Sequence, residues 1–494
     1  MPKLSITVVI LLFFALAMQA QTPDKEWPAG PLAITHHQFG AGTAAFAYTA
    51  TAGYMPMKDE KDTMKARLFF VAYTKDGVSD PSTRPVIFAF NGGPGSSSVW
   101  LHMGALGPER VLMTDNGEST PPPYRSVANE YSWLDKADIV FIDPMLTGYT
   151  RPAGNTPAAD YTGFNNDIKF VGDFIRMYLS RYNRWKSPKL LAGESYGTTR
   201  AAGLSDYLQD THGIYVNGII LISAILNFNA ANAGRDNDLP YALQLPTFAA
   251  TSWYHHQSDP KYTSLQSVLT DAKAFAMGPY ISALLKGDQL NASDKNEVIE
   301  KMHALTGLSR EYLDNCNMRL RVGRFNKELL RKKGKTLGRY DSRILGIDYD
   351  NAGESYDYDP SYDRTVHGAF TAAFNDYVRR NLNYKSDLPY EILTGKVWPW
   401  NFSQNGYLNV AETLRDAMVK NPYLKVWICN GYYDMATPWF TTDYVAHHMF
   451  LPEELRGNIS FTYYEAGHMM YLHKPSLIKM KQDFDRFLGG LSLR

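Results

Sequence analysis

Short, continuous apolar runs recur along the chain and predict strands of a sheet that is covered on both faces. They lie at residues 84–90, 137–143, 188–193, 217–224, 424–431 and 459–465. Apolar residues at helical spacing follow two of these runs, at 167–182 and 198–213. The order strand, helix, strand predicts an α/β fold with a mostly parallel sheet and helices on its faces.

Two other segments do not follow this alternation of strands and helices. Residues 43–57 and 65–77 alternate apolar and polar positions around a charged turn, which predicts an N-terminal antiparallel hairpin. Residues 225–395 are richer in charge and contain helical patterns, which indicates an inserted, mainly helical cap. We therefore expect a core formed by residues 21–224 and 396–494, with the cap between its two parts.

The first 20 residues carry Lys3, an apolar run to Ala17 and then small residues, which predicts a secretory signal peptide. The alternative is an uncleaved membrane anchor, although the run is short for a spanning helix. We expect an exported protein, periplasmic or secreted, without stable membrane insertion once the signal is removed.

The overall composition excludes several classes of protein. The chain has 494 residues, 45% of them hydrophobic, which argues against disorder. Lys plus Arg and Asp plus Glu number 50 each, so no basic excess favours nucleic acid. Cys316 and Cys429 are too few for a disulfide framework. One bridge between them is an alternative, but the apolar run around Cys429 favours a reduced core thiol.

Ser195 lies in Gly-Glu-Ser-Tyr-Gly, where a predicted strand ends and a predicted helix begins. This pattern and context are typical of the nucleophile elbow, a tight turn that exposes the serine hydroxyl. Glycines at 193 and 197 are expected because a side chain there would strike the neighbouring strand or helix. The bare pattern alone also arises by chance.

Two further residues complete a candidate catalytic triad. Asp434 and His468 each follow a predicted strand by three residues, so both should lie with Ser195 at the carboxyl edge of the sheet. A serine needs a base to take its proton, and the base needs an acid to orient it. Taken singly, the aspartate is as well explained as a turn residue and the histidine as an ordinary polar group.

The segment NGGPGSSSVW at 91–100 follows another strand directly and predicts an oxyanion hole. Its glycines let the backbone amides approach a ligand, so the Gly93 and Tyr196 amides would stabilise the oxyanion. A plain Gly-Pro turn is the alternative. The adjacent histidine pairs, 255–256 and 447–448, lack zinc-binding spacing, so we expect no catalytic metal and no cofactor.

With these residues in view, the sequence resembles the serine carboxypeptidase family of α/β-hydrolases over nearly the whole mature chain. The segments NGGPGSSS, ALGPERV, GESYG, NGYYDMATPW and AGHMMYLHKP occur in the family's order. The resemblance implies Ser195 as nucleophile, His468 as general base and acid, and Asp434 as the group that orients it. It also implies that Asn91, Gly92 and Glu194 bind the terminal carboxylate of a peptide substrate.

The sequence departs from the family at one position that matters for this binding. In the family a second glutamate pairs with the one before the nucleophile, but Ala105 stands there. Two touching carboxyls keep one proton, so without the pair Glu194 is expected to ionise near neutral pH and repel a carboxylate. Arg200 is a candidate replacement cation, with an ordinary surface arginine as the alternative.

Together these features predict a serine peptidase that removes C-terminal residues from peptides through an acyl-enzyme. An esterase or acyltransferase with the same triad, or a catalytically silent binding protein, are the alternatives. The missing family cysteines favour a bacterial export setting, and the oligomeric state is left open.

Overall fold

The computed structural model describes residues 32–42, 45–154, 157–402 and 407–491. The predicted signal peptide lies outside these residues. Within them, no helix is both long enough and apolar enough to span a bilayer.

The described strands include the predicted hairpin and the six predicted apolar runs, together with a strand at 33–39 and five short strands that were not predicted. They are β1 (Ala33–Phe39), β2 (Phe46–Lys58), β3 (Met64–Lys75), β4 (Val86–Phe90), β5 (Glu109–Val111), β6 (Ser126–Ala128), β7 (Asp138–Ile142), β8 (Arg151–Pro152), β9 (Lys189–Glu194), β10 (Gly218–Ile222), β11 (Thr336–Leu337), β12 (Leu345–Gly346), β13 (Lys425–Gly431) and β14 (Ile459–Tyr464).

The helices fall between the strands and throughout residues 225–395. They are α1 (Val99–Leu101), α2 (Phe164–Arg181), α3 (Tyr196–His212), α4 (Phe228–Ala231), α5 (Leu239–Tyr254), α6 (Leu265–Phe275), α7 (Ile281–Lys286), α8 (Ala292–Thr306), α9 (Arg310–Asn315), α10 (Val322–Glu328), α11 (Gly368–Arg380), α12 (Ala411–Lys420), α13 (Trp439–His447), α14 (Glu453–Arg456) and α15 (Lys474–Gly489). Shorter turns include a π-helical one at His102–Leu106 and a 3-10 one at Met470–Leu472.

One large mixed sheet organises the described residues, in the order β1-β2-β3-β7-β4-β9-β10-β13-β14, with β8 beside β3. The strands from β7 to β14 in this order run parallel, whereas β1, β2, β3 and β7 pair antiparallel. The predicted α/β-hydrolase fold with an N-terminal antiparallel hairpin is therefore confirmed. The division into a core and an inserted cap stays a prediction.

Alternate residues of each central strand enter two different hydrophobic cores, as the two-residue period of a strand requires. In β4, Val86 and Phe88 join the core that includes α2 and α3, whereas Ile87 and Ala89 join the core that includes α11 and α15. Because both faces are covered, every β4 residue is buried, which explains the continuous apolar run in the sequence.

Cys316 and Cys429 are both buried and free, so the reduced interpretation is confirmed and no bridge joins them. Burial raises the pKa of the Cys429 thiol well above its ordinary value, which keeps it protonated.

Candidate active site

Ser195 occupies the sharp turn between β9 and α3, in a strained backbone conformation. Its φ is 58° and its ψ is −128°, a region that residues with a side chain rarely adopt. A Cβ at Gly193 would collide with the Gly197 carbonyl, and one at Gly197 would lie 2.7 Å from the Phe90 carbonyl oxygen. The flanking glycines are thus required by close packing, as the sequence predicts.

His468 and Asp434 meet at the carboxyl ends of β14 and β13. His468 Nδ1 donates to Asp434 Oδ2 at 2.7 Å, and both side chains are buried. Two backbone amides, of Ala436 and Thr437, donate to the other aspartate oxygen at 2.7 and 2.9 Å. The Thr437 hydroxyl also donates to Oδ2 at 2.7 Å. Hydrogen bonds therefore fix both oxygens of the Asp434 carboxylate. The carboxylate in turn binds Nδ1 of the imidazole, which leaves Nε2 outside this hydrogen bond.

The histidine backbone is also held in place. The Ser223 hydroxyl, just after β10, donates to the His468 carbonyl at 2.6 Å, and the His468 amide donates to the Tyr340 carbonyl at 2.6 Å. Neither Ser223 nor Thr437 was predicted to be a positioning residue, although Thr437 lies in the NGYYDMATPW segment.

The electrostatics of the pair favour a charged imidazole. Burial alone would lower the pKa of His468, but the charge and hydrogen bond of Asp434 outweigh burial and raise it. Burial would likewise raise the pKa of Asp434, but the histidine and the Thr437 donors lower it instead. A general base needs its pKa raised by such a partner in order to accept a proton and hold it.

Ser195 and His468 line the same cavity, which has a volume of about 340 Å³. Within the described residues the serine hydroxyl forms no hydrogen bond with the imidazole. Such bonds are often long until substrate is in place.

Gly93 and Tyr196 also line this cavity. Gly93 has a φ of 103°, which favours glycine, and a Cβ at Gly92 would collide with the Tyr196 amide nitrogen. Among the described residues neither the Gly93 nor the Tyr196 amide donates a hydrogen bond. Both donors are thus available to a ligand, as an oxyanion hole requires.

Asn91 and Glu194 lie together on one side of Ser195. The Asn91 Oδ1 accepts from the Leu101 amide at 3.1 Å, which leaves its buried Nδ2 without a hydrogen-bond partner among the described residues. Glu194 is 2% exposed, and its Oε2 accepts from the Tyr471 hydroxyl at 2.6 Å. An unsatisfied amide donor next to a buried carboxyl is suited to binding a ligand's carboxylate.

Tyr471 is the hydrogen-bond partner of Glu194 in a site that lacks the second glutamate. A Cβ at Gly104 would collide with the Tyr471 ring, so the glycine leaves room for the tyrosine beside Glu194. Tyr471 was not among the predicted site residues, although it lies within the AGHMMYLHKP segment.

Burial raises the pKa of Glu194 to about 7, while the His468 charge and the Tyr471 hydroxyl oppose the rise. The expectation that Glu194 ionises near neutral pH agrees with this value, and the pKa is raised by desolvation rather than by a second glutamate. Ionisation is still expected above about pH 7.

Both interpretations of Arg200, as a replacement cation for the substrate and as an ordinary surface arginine, are wrong. Arg200 is 1% exposed, so it is not a surface residue, and its Nε donates to Asp167 Oδ2 at 2.8 Å. Its Nη1 donates to the Asn91 carbonyl oxygen at 2.5 Å. The guanidinium is bound to Asp167 and to the backbone of Asn91, which it fixes. It is therefore not available to bind a substrate carboxylate.

The fold and the Ser195 site together define an α/β-hydrolase with a serine-histidine-aspartate constellation. The sequence profile of the serine carboxypeptidase family matches residues 41–467. The chain therefore belongs to the serine carboxypeptidase family.

Individual relatives match shorter stretches. Serine carboxypeptidase-like 33 of Arabidopsis thaliana is 29% identical over 175 residues, which cover 33% of this chain and 32% of the relative. The Pheromone-processing carboxypeptidase KEX1 of Saccharomyces cerevisiae is 31% identical over 156 residues, covering 29% of this chain and 20% of the relative. These matched stretches thus span a third or less of the curated relatives.

The crystal structure of a prohormone-processing carboxypeptidase from Saccharomyces cerevisiae is similar in fold. It aligns with a TM-score of 0.56 at 15% identity and covers 89% of this chain and 91% of that one.

Proposed function

We propose that this protein is a serine carboxypeptidase that releases C-terminal residues from peptides through an acyl-enzyme intermediate. The observation that carries the proposal is the buried Asp434–His468 pair, with its 2.7 Å hydrogen bond, facing the cavity that exposes Ser195. Family membership supports the same reaction.

In the proposed reaction the Ser195 oxygen attacks the carbonyl carbon of the last peptide bond, and its proton passes to His468 Nε2. The amides of Gly93 and Tyr196 stabilise the resulting oxyanion. The carbon–nitrogen bond then breaks, the leaving amine takes the proton from Nε2, and an ester remains on Ser195. A water molecule, deprotonated by His468, hydrolyses this ester and restores the enzyme.

Recognition of the terminal carboxylate is assigned to Asn91, Gly92 and Glu194. Asn91 Nδ2 is a buried donor without a partner among the described residues, and a protonated Glu194 can donate a second hydrogen bond. Tyr471 holds Oε2 of Glu194, so the proton of the carboxyl is directed to the other oxygen. Peptides with a free C-terminus are therefore the proposed substrates.

The test compares a blocked peptide that has a free C-terminal carboxylate with its C-terminal amide at pH 6. We expect the free acid to be hydrolysed at least about tenfold faster in kcat/KM, the value of one charge-assisted hydrogen bond. Equal rates would favour an esterase or acyltransferase on the same triad. Retention of full activity by Ser195→Ala would exclude this serine chemistry, and a protein that binds both peptides without turnover would be a silent binding protein.

We also propose that the protein is exported, because residues 1–20 have the charged start, apolar run and small-residue end of a signal peptide. Cell fractionation together with N-terminal sequencing of the mature chain tests this. A bacterial periplasmic or secreted setting fits two free, buried cysteines, since packing rather than disulfides then stabilises the fold.

A further inference from the structure

Arg339 is a cation in the candidate site to which the reaction assigns no role. It lines the cavity that contains Ser195, and its side chain is exposed to that space. Among the described lining residues, Arg339 is the one arginine or lysine; the other ionisable groups there with a catalytic or carboxylate-binding role are Glu194 and His468.

The backbone of Arg339 is fixed on both sides. Its amide donates to Asp359 Oδ1 at 3.1 Å, and its carbonyl accepts from the Met435 amide at 3.0 Å, next to the triad aspartate Asp434. The guanidinium itself forms no ion pair and no hydrogen bond within the described ranges, and its Cζ lies 5.5 Å from the Tyr340 ring centre. The charge is thus positioned by a rigid backbone but is not neutralised by a direct partner.

The neighbours of Arg339 place it close to His468 in the cavity. The Tyr340 ring lies 5.1 Å from the His468 ring and 5.9 Å from the Tyr362 ring, which in turn lies 6.0 Å from Trp100. Burial raises the pKa of Tyr340, and the charges of Asp434 and Glu194 contribute to the rise while Arg339 opposes it. Trp100, Tyr362 and Tyr340 therefore form a continuous aromatic wall, and its Tyr340 end lies next to both His468 and Arg339.

Under the proposed function, Glu194 and Asn91 bind the α-carboxylate of the residue that is released. The side chain of that same residue must then extend from the α-carbon along the wall on this side of Ser195. A guanidinium without a partner, at the end of an aromatic wall, pairs best with a carboxylate, which it can bind through two parallel hydrogen bonds.

We infer that Arg339 is a specificity-determining residue that makes the enzyme favour peptides ending in an acidic residue, glutamate or aspartate. The inference rests on the proposed carboxypeptidase function. Leucine or phenylalanine at the C-terminus would use the aromatic wall alone, and C-terminal lysine or arginine would be repelled by the guanidinium.

The test uses three blocked dipeptides that differ only in the last residue, which is glutamate, glutamine or lysine. Glutamine has the same shape as glutamate without its charge, so the Glu/Gln ratio of kcat/KM isolates the charge. For the wild-type protein we expect a ratio of about ten, the value of one charge-assisted hydrogen bond, and a smaller ratio at high salt. Lysine should be the poorest substrate.

Arg339→Gln should bring the Glu/Gln ratio of kcat/KM close to one. The Arg339 charge also lowers the pKa of His468, but this effect is common to both peptides, so the ratio remains the readout. Arg339→Glu should make the lysine peptide better than the glutamate peptide. Arg380→Gln removes the same charge from an exposed residue at the end of α11 that is paired with Asp376, and it should change no ratio.

Two results would overturn the inference. One is a wild-type Glu/Gln ratio of one. The other is an equal loss of activity toward both peptides in Arg339→Gln, which would show that Arg339 does not recognise the charge of the substrate side chain. Failure of the proposed function looks different, because the wild-type protein would then fail to hydrolyse the glutamine peptide or would cleave its amide equally well.

Discussion

Glu194 provides the sharpest prediction about pH. Its pKa is raised to about 7 by burial, so the carboxyl is protonated below that pH and can donate to a substrate carboxylate. Above that pH it is ionised, and two like charges about 4 Å apart repel by about 4 kcal/mol at an effective dielectric constant near 20. The ionised form should therefore not bind a free-acid peptide.

The expected pH profile follows from this repulsion. For the wild-type protein, kcat/KM for a free-acid peptide should fall about tenfold for each pH unit above 7. Glu194→Gln removes the titrating group while its amide still donates a hydrogen bond, so the alkaline fall should disappear.

The assay measures kcat/KM for one free-acid peptide from pH 5 to pH 9. Glu454→Gln is the matched control, because it makes the same chemical change at an exposed position on α14. The reasoning is refuted if Glu194→Gln keeps the wild-type alkaline limb, since the group that limits binding would then lie elsewhere.

Two further predictions concern the residues that support the site. Tyr471→Phe removes the hydroxyl that stabilises ionised Glu194 at 2.6 Å, so the alkaline limb should move up by as much as about one pH unit, measured in the same assay; an unchanged limb would contradict this. Arg200→Met leaves Asp167 without its buried partner and should lower the free energy of unfolding by about 3–5 kcal/mol in urea titration. Adding Asp167→Leu should restore most of this loss, and no recovery would contradict the account of the pair.

The sequence predicted the strands well because the central ones are buried on both faces. All five residues of β4 and all five of β7 are buried, so their apolar runs are continuous and their ends fall within two residues of the prediction. The carboxyl ends of parallel strands lie at one edge of the sheet, so polar residues that follow different strands lie close together there. This rule made Ser195, Asp434 and His468 candidates from the sequence alone.

The partners of Glu194 could not be predicted in the same way. The contact of Tyr471 with Glu194 joins positions 277 residues apart, and it depends on the space left by Gly104, which no local pattern reports. The pKa of Glu194 depends on burial, a property of the folded chain. Arg200 was misjudged for the same reason, since its partner Asp167 lies on another helix.

The central claim is that Ser195 becomes covalently acylated during turnover, and it can be tested directly. A blocked amino-acid ester is mixed with the enzyme, the reaction is quenched with acid within milliseconds, and the peptide that contains Ser195 is examined by mass spectrometry. The account predicts an added acyl mass on Ser195 that is absent in His468→Ala at the same time point. Full turnover of the ester with no adduct on Ser195 would contradict it.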